Sequence, residues 1–149
     1  FELGLGWAVA LKAGKFVGRQ ALLKETQHGS TWAMVGLAVD WSELDRLFGR
    51  HDLPPQVAGR ASRLAARVYR RGRQIGQATS MGFSPLLKRF IALASLEREQ
   101  AGLGSLVELE MTVDYQRERV PARIVPKPFY DPPHKREGTR PRPAANSTR

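Results

Sequence analysis

Apolar and polar residues alternate one by one along residues 106–113 (LVELEMTV). This places Val107, Leu109, Met111 and Val113 on one side, and Leu106 and Glu108 on the other. Alternation of period two marks a strand with one buried face, because successive side chains of an extended chain point in opposite directions. Strand signals recur at short intervals, in residues 32–39 (WAMVGLAV), 67–70 (RVYR), 74–79 (QIGQAT), 90–96 (FIALASL) and 120–125 (VPARIV). Strands at this spacing argue for a mainly β fold, a small antiparallel barrel or sandwich, over about residues 31–130.

Turn chemistry fills in the connections. Gly72 lies between residues 67–70 and 74–79, where a tight hairpin needs a positive φ. Residues 120–125 pair naturally with 106–113 across residues 116–118, and Pro121 demotes that strand locally to an edge or a bulge. Two short helices are expected. One covers residues 18–25 and stops near His28 and Gly29. The other covers 41–48, with Asp40 as a cap, Trp41, Leu44 and Phe48 at helical spacing, and Gly49 as the stop. Residues 51–61, with Pro54, Pro55 and Gly59, read as a loop. Ahead of the first helix, residues 5–11 (LGWAVAL) read as a strand with Leu5, Trp7, Val9 and Leu11 on one face. Residues 131–149 hold four prolines and no apolar periodicity, the pattern of a mobile tail.

Composition excludes several classes of function. The chain has 149 residues, enough for one domain or one domain plus a piece of another. It opens on Phe1 inside an apolar stretch, which suggests a fragment, a trimmed chain or a partly observed protein. There are no cysteines, so disulfides, thiolate metal sites and a cysteine nucleophile are ruled out within it, in keeping with a cytoplasmic location. No apolar run approaches the roughly 18 residues of a membrane helix. The net charge is +10. Part of it sits in the tail, and part in Arg67, Arg70, Arg71 and Arg73 around the predicted turn. No nucleic-acid motif accompanies these charges, which argues against a nucleic-acid partner and leaves a basic pocket for an anionic ligand.

Side-chain chemistry yields no catalytic constellation. His28, His51 and His134 lie far apart at turn or loop positions, without metal-ligand spacing. Glu108 and Glu110 share a strand face and read as a solvated surface. Residues 79–85 (TSMGFSP) lack the order of a nucleophile elbow, and their small polar side chains fit a loop beside a ligand or a plain turn.

Three blocks, in order, carry a resemblance to one family. Residues 5–11 followed by 16–23 (FVGRQALL) form the first. Residues 69–80 (YRRGRQIGQATS), then 83–87 (FSPLL) and 91–94 (IALA), form the second. Residues 120–125 and 128–130 (PFY) form the third. Together they resemble the C-terminal part of the folate-dependent aminomethyltransferases, the family of the glycine-cleavage T-protein. Met81 and Gly82 replace the glycine that usually follows Thr-Ser. The longer stretch 41–64 resembles the folate domains of sarcosine and dimethylglycine dehydrogenases.

The resemblance implies an about six-stranded β-barrel over residues 31–130. Residues 1–30 become a strand-helix segment ending the preceding folate-binding domain. It also implies tetrahydrofolate as the cofactor, accepting a one-carbon unit at N5, and a catalytic aspartate in a region absent from this chain. The implied partners are the N-terminal portion of the same enzyme and a lipoyl carrier protein, with no membrane. Trp7, Thr79, Ser80 and Arg136 are the implied folate-binding residues. Trp7 reads as well as a core aromatic, and Arg136 equally as a solvated tail charge. The alternative is a non-catalytic barrel that binds an anionic ligand.

Overall fold

A computed structural model describes residues 1–57 and 59–133 of the chain. Six strands form a closed barrel: β1 (Trp32–Val39), β2 (Ala66–Arg70), β3 (Arg73–Ser84), β4 (Arg89–Glu97), β5 (Leu106–Val113) and β6 (Gln116–Val125). They close in the order β1-β4-β3-β2-β5-β6, every neighbour antiparallel. The alternation seen in the sequence becomes the inside and outside of this barrel. Val107, Leu109 and Val113 of β5 meet Phe90, Ala92, Ala94 and Leu96 of β4 and Val35, Leu37 and Val39 of β1 in one buried core.

Helix α1 (Arg19–His28) precedes the barrel and α2 (Trp41–Gly49) follows β1. Leu44, Leu47 and Phe48 of α2 enter the barrel core, while Trp41 stays partly exposed with its ring edge-on to Phe83 at 5.3 Å. Asp40 occupies the N-cap position in extended conformation, but its carboxylate pairs with Arg89 at 3.1 Å rather than with the helix amides.

Both predicted hairpins form, one of them in a different register. In β2–β3 the turn is Arg71-Gly72, with φ of 50° and 79°. Two successive positive φ values make the mirror-image turn whose twist suits a hairpin, and Gly72 supplies the second without strain. Arg71 supplies the first at a cost of about 1–2 kcal/mol. In β5–β6 the turn is Asp114-Tyr115, with φ of 46° and 61°, not residues 116–118, and β6 starts at Gln116. The β1–β6 pairing covers only residues 123–125 of β6, so Pro121 lies on a stretch that is locally an edge, where its missing N–H breaks no ladder.

Residues 5–11 do not form the expected strand. Gly6–Ala8 is a single 3-10 turn, and Trp7 is 85% exposed. The physical reason is pairing. Closure of the barrel takes up the edges of β1, and where β6 falls short the Met34 amide donates to the Glu2 carbonyl at 2.9 Å instead. That leaves residues 5–11 no edge to join. Residues 1–29 contain no buried side chain; Ser30 is the first.

Candidate functional site

The β2–β3 ladder ends at Ala66 and Ala78, so the second half of β3 loses its neighbour on that side. Ser62 takes the vacated place. Its amide donates to the Met81 carbonyl at 2.7 Å, and its carbonyl accepts from the Met81 amide at 3.0 Å. This bridge draws the loop that carries Arg60 alongside β3.

On the far side, the chain leaving β6 folds back over β1, and the Phe129 ring lies against Gly36. A Cβ at residue 36 would meet that ring at 2.7 Å, so only glycine lets the aromatic settle there. Between the two lies a cavity of about 270 Å³. Arg60, Ser80, Met81, Phe83, Leu93 and Phe129 provide its walls.

A bulge aims Ser80. Pairing with β4 steps from Ala78–Ala94 to Ser80–Leu93, which leaves Thr79 as the extra residue. Before the bulge Ala78 is fully buried; after it, Met81 and Phe83 pack on the core. The change of phase turns Ser80 to the cavity, as bulges beside functional sites commonly re-aim a side chain. Residues 79–85, read from the sequence as a loop or a turn, are strand as far as Ser84. Thr79 itself is exposed, its hydroxyl donating to the Leu93 carbonyl at 3.4 Å.

Of the four residues singled out by resemblance, Ser80 alone lines this cavity, with Thr79 beside it in the bulge. Trp7 is not in its lining and is not a core aromatic either. Arg136 lies outside the described residues, as do His134 and most of the tail. Arg60 is the only charged side chain in the lining, and it makes no hydrogen bond or ion pair within the described structure. Apart from Ser80 the walls are otherwise apolar and aromatic, a lining suited to a flat apolar group that carries a negative charge.

Glu108, Glu110, His28 and His51 are committed elsewhere. Glu110 accepts from the Tyr69 hydroxyl at 3.1 Å and pairs with Arg67 at 3.7 Å. Glu108 pairs with Arg119 at 3.6 Å, and Arg119 covers the Tyr69 ring. The two carboxylates share a face but are each held by an arginine, so they do not form an acid–base couple. His51, placed by the sequence at a turn or loop position, has a side chain only 10% exposed and bonds Glu118 at 3.1 Å, with Arg50 on the other carboxylate oxygen. His28 bonds the Lys24 carbonyl. Among the described residues no three His, Asp or Glu side chains gather into a metal site. Burial lowers the Lys127 ammonium pKa, and its Nζ donates to the Leu3 carbonyl at 3.3 Å, which ties the post-barrel segment to the first residues.

Comparison with known proteins gives this geometry a context. Residues 55–131, more than half of the chain, match the family described as the glycine cleavage T-protein C-terminal barrel domain. The chain belongs to that family. T-protein barrel relatives extend the match beyond those residues. An aminomethyltransferase from Synechococcus is 36% identical over 130 residues, covering 87% of this chain and 30% of the relative. One from Bacillus licheniformis is 35% identical over 130 residues, with the same coverage. This T-protein barrel chain thus spans under a third of the length of the curated relatives it matches. The crystal structure of glycine cleavage system aminomethyltransferase T from Bartonella henselae shares the fold, with a TM-score of 0.65 and 22% identity over 87% of this chain and 31% of that one. Within this T-protein barrel, nothing local in the sequence marks Arg60. It reaches the cavity through the Ser62–Met81 bridge, a pairing of residues far apart in the chain.

Proposed function

We propose that the chain is the C-terminal portion of a tetrahydrofolate-dependent aminomethyltransferase and that its barrel walls one side of the folate cavity. The observation that carries this reading is the alignment: relatives described as aminomethyltransferases match 87% of the chain, and the chain answers to only 30% of them. The rest of the site, including the group that does the chemistry, belongs to the other part of such a protein. The cavity beside Ser80 fits this share of the work. At about 270 Å³ it falls just below the roughly 300–1,000 Å³ of a complete small-molecule site. Its aromatic walls and single free arginine suit the ring and carboxylate parts of a folate.

On this reading residues 1–30 end the preceding domain and residues 31–130 are the barrel domain. The absence of buried side chains in residues 1–29 supports the division, as do exposed Leu3, Leu5, Trp7 and Val17. A lipoyl carrier as donor and a cytoplasmic location belong to the same proposal.

The test uses the longer protein that contains this chain. Ser80→Tyr fills the cavity from an outward-facing position. It is expected to weaken tetrahydrofolate binding by about tenfold or more, equivalent to roughly 1.4 kcal/mol, while leaving the thermal midpoint unchanged. Unchanged folate affinity would remove the barrel from the folate site.

A further inference from the structure

A second cationic site lies away from the cavity, at the tip of the β2–β3 hairpin. Three arginines on or near this side of the barrel have carboxylate partners: Arg67 with Glu110, Arg119 with Glu108 and Arg73 with Glu97. Arg70, Arg71 and Arg123 do not. Arg70 donates to the neutral Gln100 side chain at 3.0 Å and Arg123 to the Gly104 carbonyl at 2.8 Å, while the Arg71 guanidinium makes no bond among the described residues. Two guanidiniums are therefore held in place by neutral acceptors, without a carboxylate of their own. The third sits at the hairpin tip in a conformation that arginine rarely adopts, where asparagine would suit the turn better. All three border one open groove of about 590 Å³, together with Leu106, Val107, Pro121 and Glu108, whose carboxylate is paired with Arg119 at 3.6 Å. Leu106 is 59% exposed there.

We propose that this groove docks an acidic polypeptide segment, with carboxylates on Arg70, Arg71 and Arg123 and an aliphatic side chain on Leu106 and Pro121. Arginine forks suit carboxylates bidentately, and guanidiniums already fixed by Gln100 and Gly104 lose less freedom on binding. The aliphatic floor favours a polypeptide over a nucleic acid. Binding of single strands relies on aromatic faces for stacking, and no aromatic residue lines the groove. Tyr69, on the neighbouring outer surface, already has Arg119 over its ring at 3.8 Å. The proposal is independent of the folate reading, since the groove shares no residue with the cavity.

Fluorescence anisotropy of a labelled glutamate-rich peptide carrying leucines, titrated with the full chain, tests it. Arg71→Asn removes a charge while keeping the turn, and Arg123→Gln keeps a donor for the Gly104 carbonyl. The pair is expected to weaken binding by about tenfold or more. Removing two exposed charges elsewhere, Arg63→Gln with Arg117→Gln, is expected to change it by less than about twofold. Replacing the peptide's leucines by serine is expected to weaken binding to the unaltered chain. Three results would overturn the proposal: no binding of the peptide by the unaltered chain, equal losses in the two double variants, or a single-stranded oligonucleotide of matched charge displacing the peptide at lower concentration.

Discussion

A Cβ built on Gly76 would stand 2.1 Å from the Ser95 carbonyl oxygen and 2.8 Å from the Leu96 Cα. Both obstacles are backbone atoms of β4, held by the ladder on either side. A Cβ on Gly36 meets mainly the far edge of the Phe129 ring, with the Val125 carbonyl at 3.1 Å. A ring can turn aside; a strand cannot. Gly76→Ala is therefore expected to cost more than about 3 kcal/mol, beyond the usual range for overpacking, and Gly36→Ala about 1 kcal/mol. Urea denaturation would show the ranking. Most of the Gly36→Ala cost should vanish in a Phe129→Ala background, because the two side chains compete for one space; a full cost there would mean that Val125 is the obstacle. Neither role was legible in the sequence. Gly76 and Gly36 sit in runs that read simply as strand, and the atoms that forbid a side chain come from segments far along the chain. Ser80 was singled out only through the family resemblance of its block, and its aim depends on a bulge that becomes visible once β3 and β4 are paired.

The two hairpins show what local chemistry reveals about an element. β2–β3 could be read because Gly72 announces a positive φ. β5–β6 uses the same turn with Asp114 and Tyr115, neither of them glycine, so the sequence placed the reversal too late. Aspartate tolerates the left-handed region through its short polar side chain; tyrosine has no such help and stands 99% exposed at the tip. Gly72→Val should lower stability by about 1–2 kcal/mol, since a β-branched residue is forced to positive φ. Tyr115→Gly should raise it by about 0.5–1 kcal/mol by relieving the same strain. Guanidinium denaturation midpoints moving in opposite directions for the two variants would establish that both tips are the same turn. A fall for Tyr115→Gly would show that the tyrosine is held by something other than the turn. Residues 5–11 mark the limit of alternation as a guide. Their pattern is that of a strand, but a strand also needs an edge, and the closed barrel has none to spare.

At the scale of the molecule, the barrel has a buried core while the segment before it has no buried side chain. Leu3, Leu5, Phe16 and Val17 are exposed and Trp7 almost fully so, although a soluble surface rarely gathers so many large apolar groups in so short a stretch. An indole offers roughly 150–250 Å² for burial, worth at most about 4–6 kcal/mol at about 25 cal/mol per Å². On the proposed reading that energy is recovered when residues 1–30 pack on the remainder of a longer aminomethyltransferase. Two outcomes follow for the chain alone. With tetrahydrofolate and an aminomethylated carrier it should show no turnover, because on the proposed reading the group that does the chemistry lies in the other part of the longer protein; turnover at the rate of the longer protein would place the chemistry in the barrel. The second outcome concerns Trp7. Trp32 and Trp41 are each about 40% exposed and would blur the signal, so Trp32→Phe with Trp41→Phe isolates Trp7 in the chain. In the longer protein, any tryptophans outside this chain are replaced as well. In the chain the Trp7 emission should lie at the red end, and acrylamide should quench it nearly as freely as a free indole. In the longer protein the same residue should emit further to the blue and resist quenching several-fold. If Trp7 quenches equally in both, the apolar strip is not a seam between domains, and residues 1–30 must be assigned to the barrel rather than to the domain before it.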